Sequence, residues 1–212
     1  GRMLAGHPDV AVMEEQETLG EAAAQFMSAP AGLDQLSSLA PIDLSQYRGA
    51  YWARLEAAGV DARGKLLVDQ LALNLLKLPV IAKLFPDAKV LLALRDPREA
   101  VLSCLRRRSP ISAAAYELLT LDGAGRFYDA VMTLAELYRE KLPLDVRAIR
   151  CEDVSADFGG QSRALCAWLG LEWSPALRPL PYRPSDEAGR WRTYREQLAP
   201  VLPLLEPWAR RL

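Results

Sequence analysis

The sequence predicts an α/β fold, a parallel sheet flanked by helices. Three observations predict it. The segments KLLVD (65–69), KVLLAL (89–94) and VRAI (146–149) are short apolar runs without strict alternation, the pattern of strands buried on both faces. These runs alternate with stretches of helical spacing, as in βαβ units. The chain has 212 residues, 50% of them hydrophobic and 25% charged, which suits one domain over 1–212 with a sizeable core.

Taken in order, residues 1–6 read as a helix end closed by Gly6, and VAVM (10–13) as a short apolar piece before an acidic run. A helix is expected over about 17–27, and a loop over 28–41, where Pro30, Gly32 and Pro41 fall. Leu44, Tyr47, Tyr51, Leu55 and Ala58 give a helix over 43–58, ended by Gly59. The helix at 72–85 contains Pro79, which should bend it. After the strand at 89–94, Asp96 fits an N-cap, Pro97 the first helical position and Glu99 the third, a capping-box pattern. The long helix at 124–141 carries Phe127, Val131, Leu134 and Leu137 on one face. A further helix at 160–169 is closed by Gly170, and 194–211 is helical with proline breaks. Three strands are few for such a sheet. Residue 1 is Gly and GRMLAG reads as the middle of a helix, so a first strand is expected upstream.

Composition narrows the function classes. A formal net charge of −1 gives no support to nucleic-acid or membrane-surface partners. Cys104, Cys151 and Cys166 are odd in number and fit no zinc spacing. They read as reduced thiols of a cytoplasmic protein. A single histidine, His7, cannot build a histidine-rich metal site. No apolar run has the length of a membrane span, and no signal peptide is visible.

The chemistry concentrates in VLLALRDPREAVLSCLRRR (90–108). Ligands of open α/β sheets bind beyond the carboxyl ends of the strands, where Arg95 stands. The following helix offers N–H groups and the positive end of its dipole. Ser103 and Arg107 are four residues apart and share one helix face. Arg95, Ser103 and Arg107 could thus converge on one phosphate. Each charge-assisted hydrogen bond contributes about 1.5–3 kcal/mol, against roughly 0.3–1 for the dipole, so side chains would dominate. On composition alone, a capped surface helix with solvated arginines explains the same residues. Arg106 and Arg108 fit that simpler reading.

LFPDAKVLLALRDPREAVLSCLRRR (84–108) resembles the 3′-phosphate motif of the sulfotransferases that use 3′-phosphoadenosine 5′-phosphosulfate (PAPS), in their bacterial branch related to protein-tyrosine sulfotransferases. HPDVAVMEEQETL (7–19), GRFYDAVMTLAELYREKLPLDVRAIRCEDVSAD (125–157) and PYRPSDEAGRWRTYREQLAPV (181–201) are similar to further family segments. The resemblance implies a P-loop-like sulfotransferase fold and sulfuryl transfer from PAPS to a hydroxyl or amine, without a metal. It places Arg95, Ser103 and Arg107 on the nucleotide's 3′-phosphate, brings Arg190 to the nucleotide and makes Glu15 the general base. Its partners would be PAPS and an acceptor that is a peptide, a carbohydrate or a small molecule. Two residues depart from the family pattern: Gln70 stands where a lysine is usual, and Cys151 where a tyrosine is usual. The family's 5′-phosphosulfate loop would stand before Gly1. Other readings stay open. Glu15 also fits a solvated helix start, Arg107 a solvated helix residue, and Arg190 a loop arginine stacked on Trp191 or Tyr194. At the level of the whole chain, the alternatives are a catalytically impaired nucleotide-binding module and a P-loop kinase relative.

Overall fold

VAVM, a short apolar piece in the sequence, is a strand. In the computed structural model, which describes residues 3–106, 116–177 and 189–212, β1 (Val10–Glu14) pairs in parallel with β2 (Leu66–Gln70), from Val10 opposite Leu66 to Glu14 opposite Gln70. Four apolar residues cannot distinguish strand from helix by periodicity; the partner 56 residues on decides it. A second sheet pairs β3 (Lys89–Leu94) with β4 (Asp145–Arg150).

Helices fill the intervals. They are α1 (Gly20–Met27), α2 (Gly32–Ser38), α3 (Ser45–Ala57), α4 (Leu78–Leu84), α5 (Pro97–Arg106), α6 (Leu121–Lys141), α7 (Cys151–Ala156), α8 (Phe158–Leu169), α9 (Arg195–Leu198) and α10 (Leu202–Ala209). Helix α2 lies inside the segment expected to be loop. Gly32 is required there for space, because a Cβ would sit 2.3 Å from the Phe26 carbonyl oxygen. The helix expected over 72–85 is two pieces, a 3₁₀ turn at Ala72–Lys77 and then α4, with Pro79 in the first turn of α4. Lacking an N–H, proline starts a new helix more readily than it continues an old one.

The chain divides into two compact units. The first, Gly1–Val90 with Tyr138–Val146 and Ser162–Leu180, holds the β1–β2 sheet and α1–α4. Met13 from β1, Phe26 from α1, Leu36 from α2, Leu55 from α3 and Leu84 from α4 are buried in one apolar cluster. His7 is also buried in this unit. Its Nε2–H donates to the Glu172 carbonyl at 2.7 Å and its Nδ1 accepts from the Asp9 N–H, so it serves as a structural tie.

The second unit, Leu91–Leu137 with Arg147–Gln161 and Pro181–Leu212, packs α5, α6, α9 and α10 around Val101, Ala124, Leu198, Val201 and Leu205. The buried face of α6 differs from the sequence expectation. Gly123, Ala124, Gly125 and Ala135 are buried, whereas Leu137 is 46% exposed. A Cβ on Gly125 would lie 2.8 Å from Val201, so close approach, not side-chain bulk, selects this face.

Gly170 closes α8 in a Schellman motif. At φ 75°, its N–H bonds to the Ala167 carbonyl, and the Leu171 N–H bonds to the Cys166 carbonyl. A Cβ at Gly170 would meet nothing within 4 Å, so its conformation alone requires glycine. Gly170→Ala should therefore destabilise the protein by about 1 kcal/mol in denaturant titration; an unchanged midpoint would contradict this.

Candidate functional site

The junction of β3 and α5 is organised by Asp96. Its carboxylate accepts the N–H of Arg98 at 2.9 Å and also caps the N–H of Glu99, while its carbonyl accepts the first helical bond from Ala100. Pro97 has no N–H to offer. The N–H of Asp96 itself donates to Glu152 Oε1 at 3.2 Å, which ties the RCED segment after β4 to this turn. The first turn of α5 therefore has no spare amide donor. The expectation that helix N–H groups would hold an anion is corrected: the Asp96 carboxylate already occupies the helix terminus.

An anion at this junction would have to be met by side chains. Arg95 follows β3 directly and is half-buried. Its charge reaches Cys151: burial, and secondly the Glu152 carboxylate, push that thiol up, and Arg95 partly offsets them. Ser103 lies on α5 and is half-buried. Arg190 opens a 3₁₀ turn, Arg190–Tyr194, after Gly189 in the left-handed region at φ 84°. Arg95, Ser103 and Arg190 thus belong to one unit. Arg107 lies outside the described residues.

Arg98 of the R-D-P-R motif is a brace. It forks onto the Asp96 carboxylate at 2.6 and 2.8 Å and lays its guanidinium over the Trp191 ring, 3.8 Å from the centroid. Burial pushes the Asp96 carboxyl up, but the hydrogen bonds from Arg98 outweigh this and hold it below the usual range. The capping box is half formed. Asp96 caps, but buried Glu99 does not return to the Asp96 N–H; its Oε1 accepts the Trp191 N–H at 2.8 Å.

Glu15 lies in the other unit, just past β1. It is exposed, and its φ of 53° puts a non-glycine residue in the left-handed region. Such a conformation costs roughly 1–2 kcal/mol. Its N–H donates to the Gln70 carbonyl at 2.8 Å, extending the β1–β2 pairing by one bond. Beside it, Asp69 gathers three donors: Thr18 Oγ1 at 2.6 Å, Asn74 Nδ2 at 3.2 Å and the Tyr51 hydroxyl. Burial, then the charge and hydrogen bond of Asp69, push the Tyr51 phenol far up. Gln70 Oε1 and Asn74 Oδ1 are buried without a hydrogen-bond partner among the described residues. Lys77 is nearly buried and ion-paired to Glu17.

The sequence did not mark Thr18, Tyr51, Asn74, Lys77 or Glu152 as site residues, because their partners are distant in the chain. Lys77 carried a weak signal, a lone cation in the apolar turn after β2. Among the described residues no group of three His, Cys, Asp or Glu side chains is placed to hold a metal, and no helix is long and apolar enough to cross a membrane.

Two predictions follow from opposite kinds of local chemistry. Glu15→Gly releases the left-handed strain against a more flexible unfolded chain. Stability in denaturant titration should hold or rise by up to about 1 kcal/mol, and a clear loss would contradict the strain. Asp96, with its lowered folded-state pKa, stabilises above the ordinary carboxylate range, and that stability is lost as pH falls through the lowered value. Asp96→Asn, which keeps a capping oxygen but loses the charged fork with Arg98, should cost about 1 kcal/mol at pH 7, a cost that shrinks as pH falls through the lowered value. An equal cost at pH 7 and below the lowered value would contradict the pairing with Arg98.

No curated protein matches the chain. Among solved structures, a sulfotransferase from Alicyclobacillus acidocaldarius superposes with a TM-score of 0.53 at 20% identity, covering 99% of this chain and 89% of that one. The sulfotransferase domain of the Synechococcus PCC 7002 olefin synthase is similar at 21% identity, with a TM-score of 0.49 over 85% of this chain and 71% of that one. The first likeness shows the fold, a P-loop-like α/β architecture with parallel strands flanked by helices. A family model described as the sulfotransferase family matches residues 1–175. The chain belongs to the sulfotransferase family.

Proposed function

We propose that this protein transfers the sulfuryl group of PAPS to a hydroxyl or amine acceptor. Arg95, Ser103 and Arg107 would hold the nucleotide's 3′-phosphate, Arg190 would approach the nucleotide, and Glu15 would act as general base. One observation carries the reading: a half-buried arginine at the carboxyl end of β3, beside a helix whose terminal amides are already spent on Asp96. The donor set, a planar fork with a hydroxyl and a second arginine nearby in sequence motif, suits a phosphate dianion.

Bound there, the nucleotide supplies an activated sulfuryl group. The residues of this chain position and polarise. Glu15 receives the acceptor's proton as the acceptor oxygen or nitrogen bonds to sulfur and the sulfur–oxygen bond to the 5′-phosphate breaks. General-base assistance contributes roughly 10²–10⁴-fold. The strained backbone at Glu15 supports this role, since such conformations cluster at functional sites.

A second reading, an impaired nucleotide-binding module, is favoured by Gln70. A neutral amide ends β2, and its buried oxygen has no partner among the described residues. Its neutrality withholds the positive charge that a lysine would bring to developing negative charge.

Both readings can be tested with adenosine 3′,5′-bisphosphate by calorimetry in magnesium-free buffer, and with PAPS and tyramine, which carries a phenol and an amine, for turnover. Arg95→Ala should weaken bisphosphate binding by about 10²-fold. Glu15→Gln should leave binding intact and lower turnover by roughly 10²–10⁴-fold. Unaltered binding by Arg95→Ala would overturn the site. Tight binding with turnover only in Gln70→Lys would establish the impaired module. Binding that requires magnesium would point to the kinase relative.

A further inference from the structure

Glu99 is a buried acid that accepts a hydrogen bond from a backbone amide outside its own helix. It is 3% exposed and its Oε1 accepts the backbone N–H of Trp191 at 2.8 Å, across 92 residues of sequence. The nitrogen it holds is bonded directly to the carbonyl carbon of Arg190. The backbone of Arg190 is therefore fixed within a few ångströms of the Glu99 carboxylate. Ser103 stands four residues after Glu99 in α5, on the same helix face.

The ring of Trp191 adds a second attachment. Arg98 lies over it at 3.8 Å and Arg192 at 5.3 Å, and Arg98 is itself clamped to Asp96. One turn of α5 thus grips the Arg190–Tyr194 turn by a backbone hydrogen bond and by a stacked guanidinium. Charge-assisted bonds of this kind hold geometry tightly when buried. Glu99 has no competing intrahelical duty, because the N–H it would accept in a capping box goes to Glu152.

We infer that Glu99 is a positioning residue for anion binding: it docks the Arg190–Tyr194 turn onto α5 and so delivers Arg190 to the face that carries Ser103. This rests on the proposed nucleotide site. Loss of Glu99 should act through Arg190, and on the part of the ligand that Arg190 meets.

The experiment compares adenosine 3′,5′-bisphosphate with adenosine 5′-phosphate by calorimetry on the whole chain. Glu99→Ala should weaken the bisphosphate about 10-fold and leave the monophosphate little changed. Glu99→Gln, which keeps an acceptor oxygen, should restore most of that loss. In an Arg190→Ala background, Glu99→Ala should cause no further loss. Equal weakening of both nucleotides, or additive losses in the double variant, would overturn the inference. Arg95→Ala, run alongside, separates the two levels. If it weakens the bisphosphate and Glu99→Ala does not, the docking role alone is wrong. If Arg95→Ala binds normally, the nucleotide site and the inference built on it both fall. Should Glu99→Ala fail to fold, amide exchange in the unaltered protein decides. A Trp191 N–H protected at least about 100-fold over unstructured peptide supports the docking, and exchange at the unstructured rate overturns it.

Discussion

The Asp96 carboxylate, seated on the first turn of α5, is the interaction from which the second unit is organised. It satisfies the N–H groups of Arg98 and Glu99, neutralises the positive end of the helix and clamps the Arg98 side chain. Each consequence removes an alternative. The helix terminus cannot also bind an anion through its amides. Arg98 is committed to the cap, because its fork is used on Asp96 and its face lies on Trp191. The proposed anion site therefore rests on the arginine before the cap, the serine on the helix face and the arginine at the start of the 3₁₀ turn. One carboxylate thereby makes Arg98, among the arginines of this motif, a structural member.

The same logic runs through the first unit. Asp69, at the end of β2, collects Thr18, Asn74 and Tyr51 and so fixes the chain on both sides of the β1–β2 carboxyl ends. Glu17 and Lys77 pair across the same region. Against this rigid frame, Glu15 can be held in a conformation that an unconstrained glutamate would leave. Two half-buried acidic hubs, one in each unit, spend their charge on architecture.

The sequence made legible what is local. The β3–α5 junction could be read because Asp96 and Pro97 act within one turn, and Gly59 and Gly170 because a left-handed residue after a helix favours glycine. It could not show what depends on distant partners. Strand β1 needed β2 beside it. The buried face of α6 follows the close approach of Val201 to Gly125, so small residues are inside and Leu137 is out. Glu99 had the right spacing for a capping box, yet its carboxylate serves a backbone amide 92 residues away. The candidate ligands were legible through motif resemblance; the capture of Arg98 by the Asp96 carboxylate was not, because the spacing alone does not say which guanidinium turns back onto the cap.

The central claim is that Arg95 and its neighbours recognise a phosphate at one position on a ribose, and do not merely attract negative charge. The most direct measurement is the affinity for adenosine 3′,5′-bisphosphate against adenosine 2′,5′-bisphosphate in magnesium-free buffer. The two carry the same groups and the same charge and differ only in where one phosphate sits. The account predicts a preference of about 10²-fold for the 3′ isomer, the worth of one or two misdirected charge-assisted hydrogen bonds. Equal affinities for the two isomers would contradict it.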